Sequence, residues 1–333
     1  MKLSYSFVVP VYNRPDETQE LLESLEAMTT NIPFEVVIVE DGSITPSKKV
    51  VDSFSDSLDV KYFYKDNSGP GPSRNYGMER ASGSYFIILD SDCIIPPQYL
   101  DEVDKSLNKK YVDCYGGPDS AHKSFTALQK AINFAMTSFI TTGGIRGGKK
   151  SIGKFQPRSF NLGLSKVGFE KTGGFGKIHP GEDPDLAIRL WKLGMETKLI
   201  PDAYVYHKRR VSWSKFYIQV NKFGLVRPIL NSWHPQTKKI TYWFPTIFIV
   251  GFLLAIAAAF AGNILLLALY AFYYGVAFIS AIISTKSISI ASMAMFAITT
   301  QFWGYGTGFL KSWIEINILK RNIPEDFPEL FFK

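Results

Sequence analysis

The residues best suited to chemistry are two aspartates that stand one position apart, Asp90 and Asp92. They follow the run Tyr85–Leu89, whose apolar and aromatic side chains predict a strand buried on both faces. Ligands of open α/β sheets lie beyond the carboxyl ends of strands, and alternate side chains of an extended chain point the same way. Both carboxylates would then face one ligand, such as a divalent cation that carries a diphosphate. The alternative is a surface turn, because Asp and Ser are common turn residues.

A second acidic pair, Glu182 and Asp183, precedes a predicted helix from Pro184 to Leu193. Proline is favoured in the first turn of a helix, which indicates where this helix begins. A carboxylate held at this position can accept a proton from a hydroxyl group and act as a general base. The alternative is structural, since acids at a helix start also cap the helix and offset its dipole.

The part of the chain that must position these acids alternates between strand and helix patterns. The predicted strands are Tyr5–Val11, Glu35–Val39, Val60–Tyr64 and Tyr85–Leu89. The predicted helices run from Asp16 or Thr18, as the cap, to about Met28, from Ser47 to Phe54 and from Arg74 to Arg80. This alternation predicts an α/β fold with a doubly wound, mostly parallel, Rossmann-like sheet, whose strand ends gather around one crevice.

Two glycine-rich loops accompany these elements. Gly69–Arg74 approaches the dinucleotide fingerprint Gly-x-Gly-x-x-Gly, but its sixth position is arginine and it does not follow the first strand, so hydride transfer is not indicated. The loop 143–154 is basic, and no acid occurs between Ser120 and Phe169. This loop, which includes Arg146, could close as a lid over a pyrophosphate and provide it with positive charge. A flexible, solvent-exposed connection is an equal alternative.

Charge is distributed unevenly along the chain of 333 residues, whose net charge is +7. Between Ala203 and Lys239 there is no acid, whereas the basic residues there are Lys208, Arg209, Arg210, Lys215, Lys222, Arg227, Lys238 and Lys239. Because this segment precedes an apolar region, it indicates an anionic membrane surface rather than nucleic acid. Cys93 and Cys114 provide no disulfide framework.

The apolar region predicts membrane spans. No residue is charged from Ile240 to Thr285, which is too long for one crossing of about 20 residues and suits two, with a break at Gly262-Asn263. Lys238, Lys239 and Lys286 bracket this hairpin and predict that both of its ends are cytoplasmic. The run 287–310 is long enough for a third span, with Gly304, Gly306 and Gly308 allowing close helix contact.

Five motifs in order resemble the family 2 glycosyltransferases, inverting enzymes with the GT-A fold. The resemblance runs from Phe7 to about Phe223, roughly two thirds of the chain. The motifs are Val9-Pro10-Val11-Tyr12-Asn13, Val39-Glu40-Asp41-Gly42-Ser43, Gly71-Pro72-Ser73-Arg74-Asn75-Tyr76-Gly77, Asp90-Ser91-Asp92 and Gly181-Glu182-Asp183-Pro184-Asp185-Leu186 with Arg189-Leu190.

The resemblance implies a role for each matching residue. Those implied to bind the nucleotide sugar are Pro10 and Tyr12 in the base pocket, Asn13, Asp41 on the base, Arg74 on the nucleotide, Asp90 near the ribose, Ser91 and Asp92. Asp92 would also hold a divalent metal, Mg²⁺ or Mn²⁺, with His207 as a further ligand; a structural role for His207 is equally open. Asp183 is implied as the catalytic base, with Glu182 as its neighbouring candidate. Arg158, Asn161 and Gly174 are implied near the acceptor.

After His207 the residues Trp213, Phe216, Tyr217, Val220 and Phe223 recur at helical spacing with lysines between them. This pattern predicts an amphipathic helix at a bilayer surface, and packing on the catalytic domain is the alternative. Processive members of the family carry Gln-x-x-Arg-Trp in this region, whereas here only Gln219 matches. The departure favours transfer of a single sugar.

We therefore expect a cytoplasmic GT-A domain (1–210), an interfacial segment (211–239) and a membrane region (240–333) in a multi-pass protein of the cell membrane. The expected function is metal-dependent, inverting transfer of one sugar from a nucleotide-diphosphate sugar to a lipid-linked or membrane-associated glycan, with membrane lipids as partners and no nucleic acid. The alternatives are a processive polysaccharide synthase and a non-catalytic scaffold that binds nucleotide sugars.

Overall fold

The computed structural model describes residues 3–120, 125–142, 154–207, 212–323 and 325–332. These residues form two compact units. Unit 1 contains the described residues of 3–120, 154–207 and 331–332, and unit 2 contains those of 125–142, 212–323 and 325–330. This division differs from the predicted boundary near residue 210 in two places: 125–142 belongs to the helical unit, and 331–332 belongs to unit 1.

Unit 1 is built on a mixed sheet. Its described strands are β1 (Tyr5–Val11), β2 (Phe34–Asp41), β3 (Val60–Lys65), β4 (Tyr85–Leu89), β6 (Cys114–Gly116), β8 (Asn161–Ser165) and β9 (Thr197–Leu199). Their order is β3-β2-β1-β4-β8-β6-β9, and the strands from β3 to β4 are parallel, whereas β8 pairs antiparallel with both β4 and β6. A smaller sheet has the order β5-β10-β7, with β5 (Cys93–Ile94), β7 (Asp119–Ser120) and β10 (Val205–His207).

The central strands carry apolar side chains on both faces because helices cover the sheet on both sides. Phe7 and Val9 of β1 belong to one buried cluster, while Val8, between them, belongs to the other. This is the period-2 alternation of a strand, and both halves of it are apolar. All of β4 is buried, as predicted for Tyr85–Leu89.

The helices of unit 1 begin earlier than predicted in two cases. They are α1 (Pro15–Glu26), α2 (Lys48–Asp52), α3 (Pro70–Arg80), α4 (Tyr99–Lys109), α7 (Lys166–Thr172) and α8 (Glu182–Lys192). Neither Asp16 nor Thr18 caps α1, since Arg14 holds the N-cap position and Pro15 opens the helix. Similarly, α3 starts at Pro70 and not at Arg74, after Gly69 with a φ of 89°. Proline fits the first turn because its missing N–H would have no partner there.

Unit 2 is helical. Its elements are α5 (Ala127–Thr137), α6 (Phe139–Thr142), α9 (Trp213–Trp233), α10 (Phe244–Phe260), α11 (Leu265–Thr285) and α12 (Ile288–Asn317). Glycines bring α9 and α12 together: a Cβ on Gly224 would lie 2.1 Å from the carbonyl oxygen of Tyr305. The Asn221 amide also donates to the carbonyl oxygen of Gly304 at 2.9 Å.

Two helices of the described chain are long and apolar enough to cross a membrane, Ile240–Phe260 and Leu265–Thr285. They coincide with the two predicted spans, separated at Gly262. The 30-residue α12, where a third span was predicted, is not among them. It buries small residues, including Ala291, Ala294 and Gly308, against its neighbours.

Candidate active site

Three strand ends meet at one edge of the sheet of unit 1. Because β1 pairs with β2 on one side and with β4 on the other, the residues that follow these strands are neighbours. Tyr12 and Asn13 follow β1, Asp41 ends β2, and Asp90 follows β4. The first, second and fourth sequence motifs therefore meet at the carboxyl edge, where open α/β sheets bind their ligands.

Asp92 is held between two basic side chains. Arg14 Nη1 donates to Asp92 Oδ2 at 2.6 Å, and His207 Nε2 lies 3.2 Å from Asp92 Oδ1. Burial alone would raise the pKa of Asp92, but His207 and Arg14 outweigh it and hold this pKa well below its usual range. His207 reaches Asp92 because β10 pairs with β5, which places His207 opposite Cys93. The imidazole also stacks on Phe160, with 4.7 Å between ring centroids.

This cluster fits a divalent cation. Ligand atoms of Asp92, Cys93 and His207 lie within 4.8 Å of one another. Asp92 Oδ1 is buried and faces His207 Nε2, and His207 Nδ1 is buried without a hydrogen-bond partner among the described residues. A carboxylate oxygen and an imidazole nitrogen suit Mn²⁺ well, and Mg²⁺ prefers the oxygen. Asp92 Oδ1 and His207 Nε2, which face each other at 3.2 Å, are thus the pair of atoms that could share a metal ion.

Arg74 links the Asp90-Ser91-Asp92 motif to the second acidic pair, Glu182 and Asp183. Its Nη2 donates to Asp90 Oδ1 at 2.7 Å, and its Nη1 donates to Glu182 Oε1 at 2.9 Å. The Arg74 and Glu182 side chains are each 3% exposed, so their contact is shielded from water, whereas the Asp90 side chain is 32% exposed. Burial alone would lower the pKa of Arg74, but the two carboxylates raise it, and the guanidinium stays charged. One side chain therefore fixes the distance between the Asp90 loop and the start of α8.

Glu182 and Asp183 open α8 but differ in their surroundings. Gly181 holds the N-cap position, so neither acid is the cap that the structural alternative supposed. Burial alone would raise the pKa of Glu182, but His179 and Arg74 lower it to about 2. The Asp183 side chain is 13% exposed against 3% for Glu182, and Asp183 Oδ2 lies 3.7 Å from Arg158 Nη1. Asp183 is therefore the more accessible of the two acids.

The Asp41 carboxylate holds the loop before α3. It accepts hydrogen bonds from Lys65 Nζ at 2.6 Å, from the Ser68 amide at 2.9 Å and from the Gly69 amide at 2.8 Å. Asn13 braces the loop after β2 in the same way, because its Oδ1 accepts from the amides of Ile44 and Thr45. Both residues thus shape the rim of the site through main-chain contacts.

The remaining predicted residues are spread over different environments. Pro10 is half-buried, Ser91 is buried and Tyr12 is 50% exposed. Asn161 is fully buried, where its amide donates to the carbonyl oxygen of Ala203 and its Oδ1 accepts from Tyr99. Asn161 therefore connects the segments of Tyr99 and Ala203 in the interior of unit 1 and is not exposed to solvent.

Gly174 and Arg146 complete the predicted acceptor and lid residues. Gly174 has a φ of 74°, and a Cβ there would lie 2.2 Å from Asn75 Oδ1. Its carbonyl oxygen accepts from Arg189 Nη2 at 2.7 Å, so it joins the loop before α8 to α8 itself. Arg146 lies outside the described residues.

Three residues of the site were not singled out by the sequence motifs: Arg14, Lys65 and His179. Arg14 is adjacent to the first motif, Lys65 ends β3 beside Asp41, and His179 is three residues before Glu182. Each is a basic residue close in sequence to a motif or to a strand end. That proximity is the signal that could have identified them.

Comparison with known proteins connects this geometry to a family. The family model described as glycosyl transferase family 2 matches residues 6–167. An uncharacterized glycosyltransferase of Rickettsia bellii is 37% identical over 87 residues, which are 26% of this chain and 12% of that protein. Validoxylamine A glucosyltransferase of Streptomyces hygroscopicus subsp. jinggangensis is 36% identical over 101 residues, which are 29% of this chain and 24% of that protein. The chain thus spans a quarter or less of the length of these relatives.

A solved structure extends the likeness beyond these segments. The mannosyltransferase of Pyrobaculum calidifontis, solved in complex with GDP-Man and Mn²⁺, aligns with a TM-score of 0.62 at 16% identity. The alignment covers 91% of this chain and 88% of that one. The predicted GT-A type of α/β fold, followed by apolar helices, is thereby confirmed.

Proposed function

We propose that this chain, whose residues 6–167 match the family model of glycosyl transferase family 2, transfers one sugar from a nucleotide-diphosphate sugar to an acceptor with inversion. The observation that carries the proposal is the pair of contacts made by Arg74, to Asp90 and to Glu182. It brings the Asp90-Ser91-Asp92 motif, which would hold the donor, within one side chain of the acids of α8, which would act on the acceptor.

The donor site would use the three strand ends at the carboxyl edge. Asp41 and Tyr12 would contact the nucleobase, and Asp90 would contact the ribose. Asp92 and His207 would hold a Mg²⁺ or Mn²⁺ ion, and when bound the ion would stabilise the negative charge of the departing diphosphate. Arg14, paired with Asp92, would contribute a further positive charge beside the diphosphate.

Asp183 would be the catalytic base. Inversion requires a carboxylate on the side of the sugar opposite the leaving group, where it removes the proton of the attacking acceptor hydroxyl. Glu182 is the weaker candidate, because a carboxylate with a pKa of about 2 that is already paired with Arg74 and His179 is a poor proton acceptor. Arg158, whose Nη1 lies 3.7 Å from Asp183 Oδ2, would orient the base.

The acceptor would be lipid-linked or membrane-associated, and unit 1 would be cytoplasmic. Two helices with the length and apolarity of membrane spans support this proposal, as does the position of Lys238, Lys239 and Lys286 at the same side of the hairpin. A tag at Asn263, between the spans, should be accessible only from outside the cell, and a tag at residue 2 only from inside. Equal labelling of both positions in intact cells would contradict the topology.

The test of the function uses the full-length protein in detergent or nanodiscs. A panel of nucleotide sugars is offered with Mn²⁺ and with a membrane-lipid extract as the acceptor, and the products are read by mass spectrometry. Addition of one sugar from one donor supports the proposal, whereas a ladder of products indicates a processive synthase. A donor that raises the melting temperature without transfer to any acceptor indicates a binding protein and overturns the proposal.

A further inference from the structure

Residues 331–332 fold into unit 1 beside the loop that leads to α8. Phe331 forms an antiparallel bridge with Ile178, and the amide of Phe332 donates to the carbonyl oxygen of Lys177 at 3.4 Å. Ile178 is 1% exposed, so the bridge is made at a buried position. The segment 331–332 therefore adds main-chain pairing to the loop 177–179.

The Phe332 ring lies between two loops of the candidate active site. On one side it covers Gly69, where a Cβ would lie 2.2 Å from Phe332 Cδ2. On the other side it contacts the His179 imidazole, with 5.8 Å between ring centroids and 49° between the planes. A side chain at Gly69 would occupy the place of the ring, so the glycine and the phenylalanine fit each other.

Both loops lead directly to acids of the site. The Gly69 amide donates to Asp41 Oδ2 at 2.8 Å. His179 Nδ1 lies 3.0 Å from Glu182 Oε1, the same oxygen that accepts from Arg74. A continuous series of contacts thus runs from Phe332 through His179 to Glu182 at the start of α8.

The loop before α8 needs such support because glycines bound it. Gly173 and Gly174 precede it with φ of 72° and 74°, and Gly181 ends it with φ of 120°. Glycine allows many backbone conformations, so these positions restrain the loop little by themselves. Contacts from outside the loop must then fix His179 and, through it, the first turn of α8.

We propose that Phe332 is a positioning residue for the transfer reaction: it packs on His179 and Gly69 and so fixes the loop 177–180 that orients Glu182 and Asp183. The proposal rests on the proposed transfer function. Phe332 touches neither donor nor acceptor in this role, and it acts through His179. A small displacement of catalytic groups has large kinetic effects even when its origin is remote from the reacting atoms.

The test compares Phe332→Ala with Phe332→Tyr in the full-length protein. We expect Phe332→Ala to lower kcat by about tenfold, because the alignment of the base is lost. The donor KM should change by less than about twofold, because hydrogen bonds from Lys65, Ser68 and Gly69 still hold Asp41. Phe332→Tyr keeps the ring and should restore most of kcat. Phe139→Ala, the same kind of change at a residue of unit 2 that is 74% exposed, should leave kcat unchanged.

A second readout needs no activity. Lys177 is exposed, and the bond that follows it leads into the bridge with Phe331. Tryptic cleavage after Lys177 should therefore be faster in Phe332→Ala than in the wild type or in Phe332→Tyr. A double-mutant cycle should also show that His179→Ala lowers kcat much less in the Phe332→Ala background, since both changes break the same series of contacts.

Several results would overturn the proposal: an unchanged kcat in Phe332→Ala, a raised kcat, additive effects with His179→Ala, or unchanged cleavage at Lys177. Absence of sugar transfer by the wild type is a different outcome, because it refutes the proposed function. In that case the cleavage rates alone decide whether Phe332 fixes the loop.

Discussion

The two adjacent acids of α8 can be separated by conservative substitutions. Asp183→Asn and Glu182→Gln each remove one negative charge and keep the shape of the side chain. If Asp183 is the base, its substitution removes the proton acceptor from the reaction. If Glu182 is chiefly the partner of Arg74 and His179, its substitution instead weakens a buried ionic contact at the start of α8. The two variants should therefore fail in different ways.

The magnitudes follow from the surroundings of each acid. Loss of general-base catalysis typically lowers a rate by about 10²–10⁴, and Asp183→Asn should lower kcat within this range. Its melting temperature should change little, because the amide is isosteric. Glu182→Gln leaves the buried Arg74 with Asp90 as its remaining carboxylate, which should cost about 3 kcal/mol of the free energy of unfolding. For a domain of 150–250 residues this lowers the melting temperature by about 6–12 °C.

The assay measures single-turnover transfer, donor affinity and thermal melting on the same preparations. Asp183→Asn should bind the donor like the wild type, melt like the wild type and transfer slowly, whereas Glu182→Gln should melt early and keep more of the transfer rate. The reverse pattern, with a stable but inactive Glu182→Gln and a fully active Asp183→Asn, would move the base to Glu182. Full transfer by both variants would mean that the reaction is catalysed elsewhere.

Three further predictions concern metal binding, stability at acidic pH and helix packing in unit 2. Asp92→Ala or a chelator should weaken nucleotide-diphosphate binding by at least about tenfold in calorimetry, and equal affinity with and without Mn²⁺ would contradict the metal site. Burial alone would raise the pKa of Glu35, but hydrogen bonds from Lys61, Ser6 and Ser82 lower it from 4.5 to about 2. The stability that the ionised carboxylate contributes should therefore be lost as the pH falls through this range, and the free energy of unfolding of Glu35→Gln should depend less on pH there. Gly224→Ala should destabilise unit 2 by about 1–3 kcal/mol in detergent melts, whereas Gly275→Ala, which meets nothing within 4 Å, should not.

The strands of unit 1 were predictable because their signal is local. Tyr5–Val11 is a mostly apolar run and Tyr85–Leu89 is a continuous one, and the structure reproduces the boundaries of both. The edge of the sheet at which Asp41, Asp90 and Asp92 meet follows from the same pattern, since parallel strands end at the same edge. Helix starts were less predictable, because proline at Pro15 and Pro70 opens a helix earlier than a capping side chain indicates.

Contacts between segments distant in sequence were not predictable. Arg14 and Asp92 are 78 positions apart in the sequence, and no hydrophobic periodicity in the sequence predicts that they pair. His179 contacts Glu182, which is only three positions away, but it also packs against Phe332, which is distant in sequence. The membership of 125–142 in the helical unit has the same cause, because helix–helix packing between remote segments leaves no local pattern.

The contacts of Arg74 restrict how it can serve a nucleotide. The family resemblance implies that it reaches the nucleotide, yet both of its terminal nitrogens are paired with acids, and its Nε is a buried nitrogen without a hydrogen-bond partner among the described residues. The two hydrogen bonds use one N–H of each terminal nitrogen. Asp90, whose side chain is 32% exposed against 3% for Glu182, is the partner that a bound nucleotide would displace more readily. Because the guanidinium is planar and rigid, a donor that moved Arg74 would also move Glu182 and the start of α8. Under the proposed function, this would link occupancy of the donor site to the position of the acid that would deprotonate the acceptor.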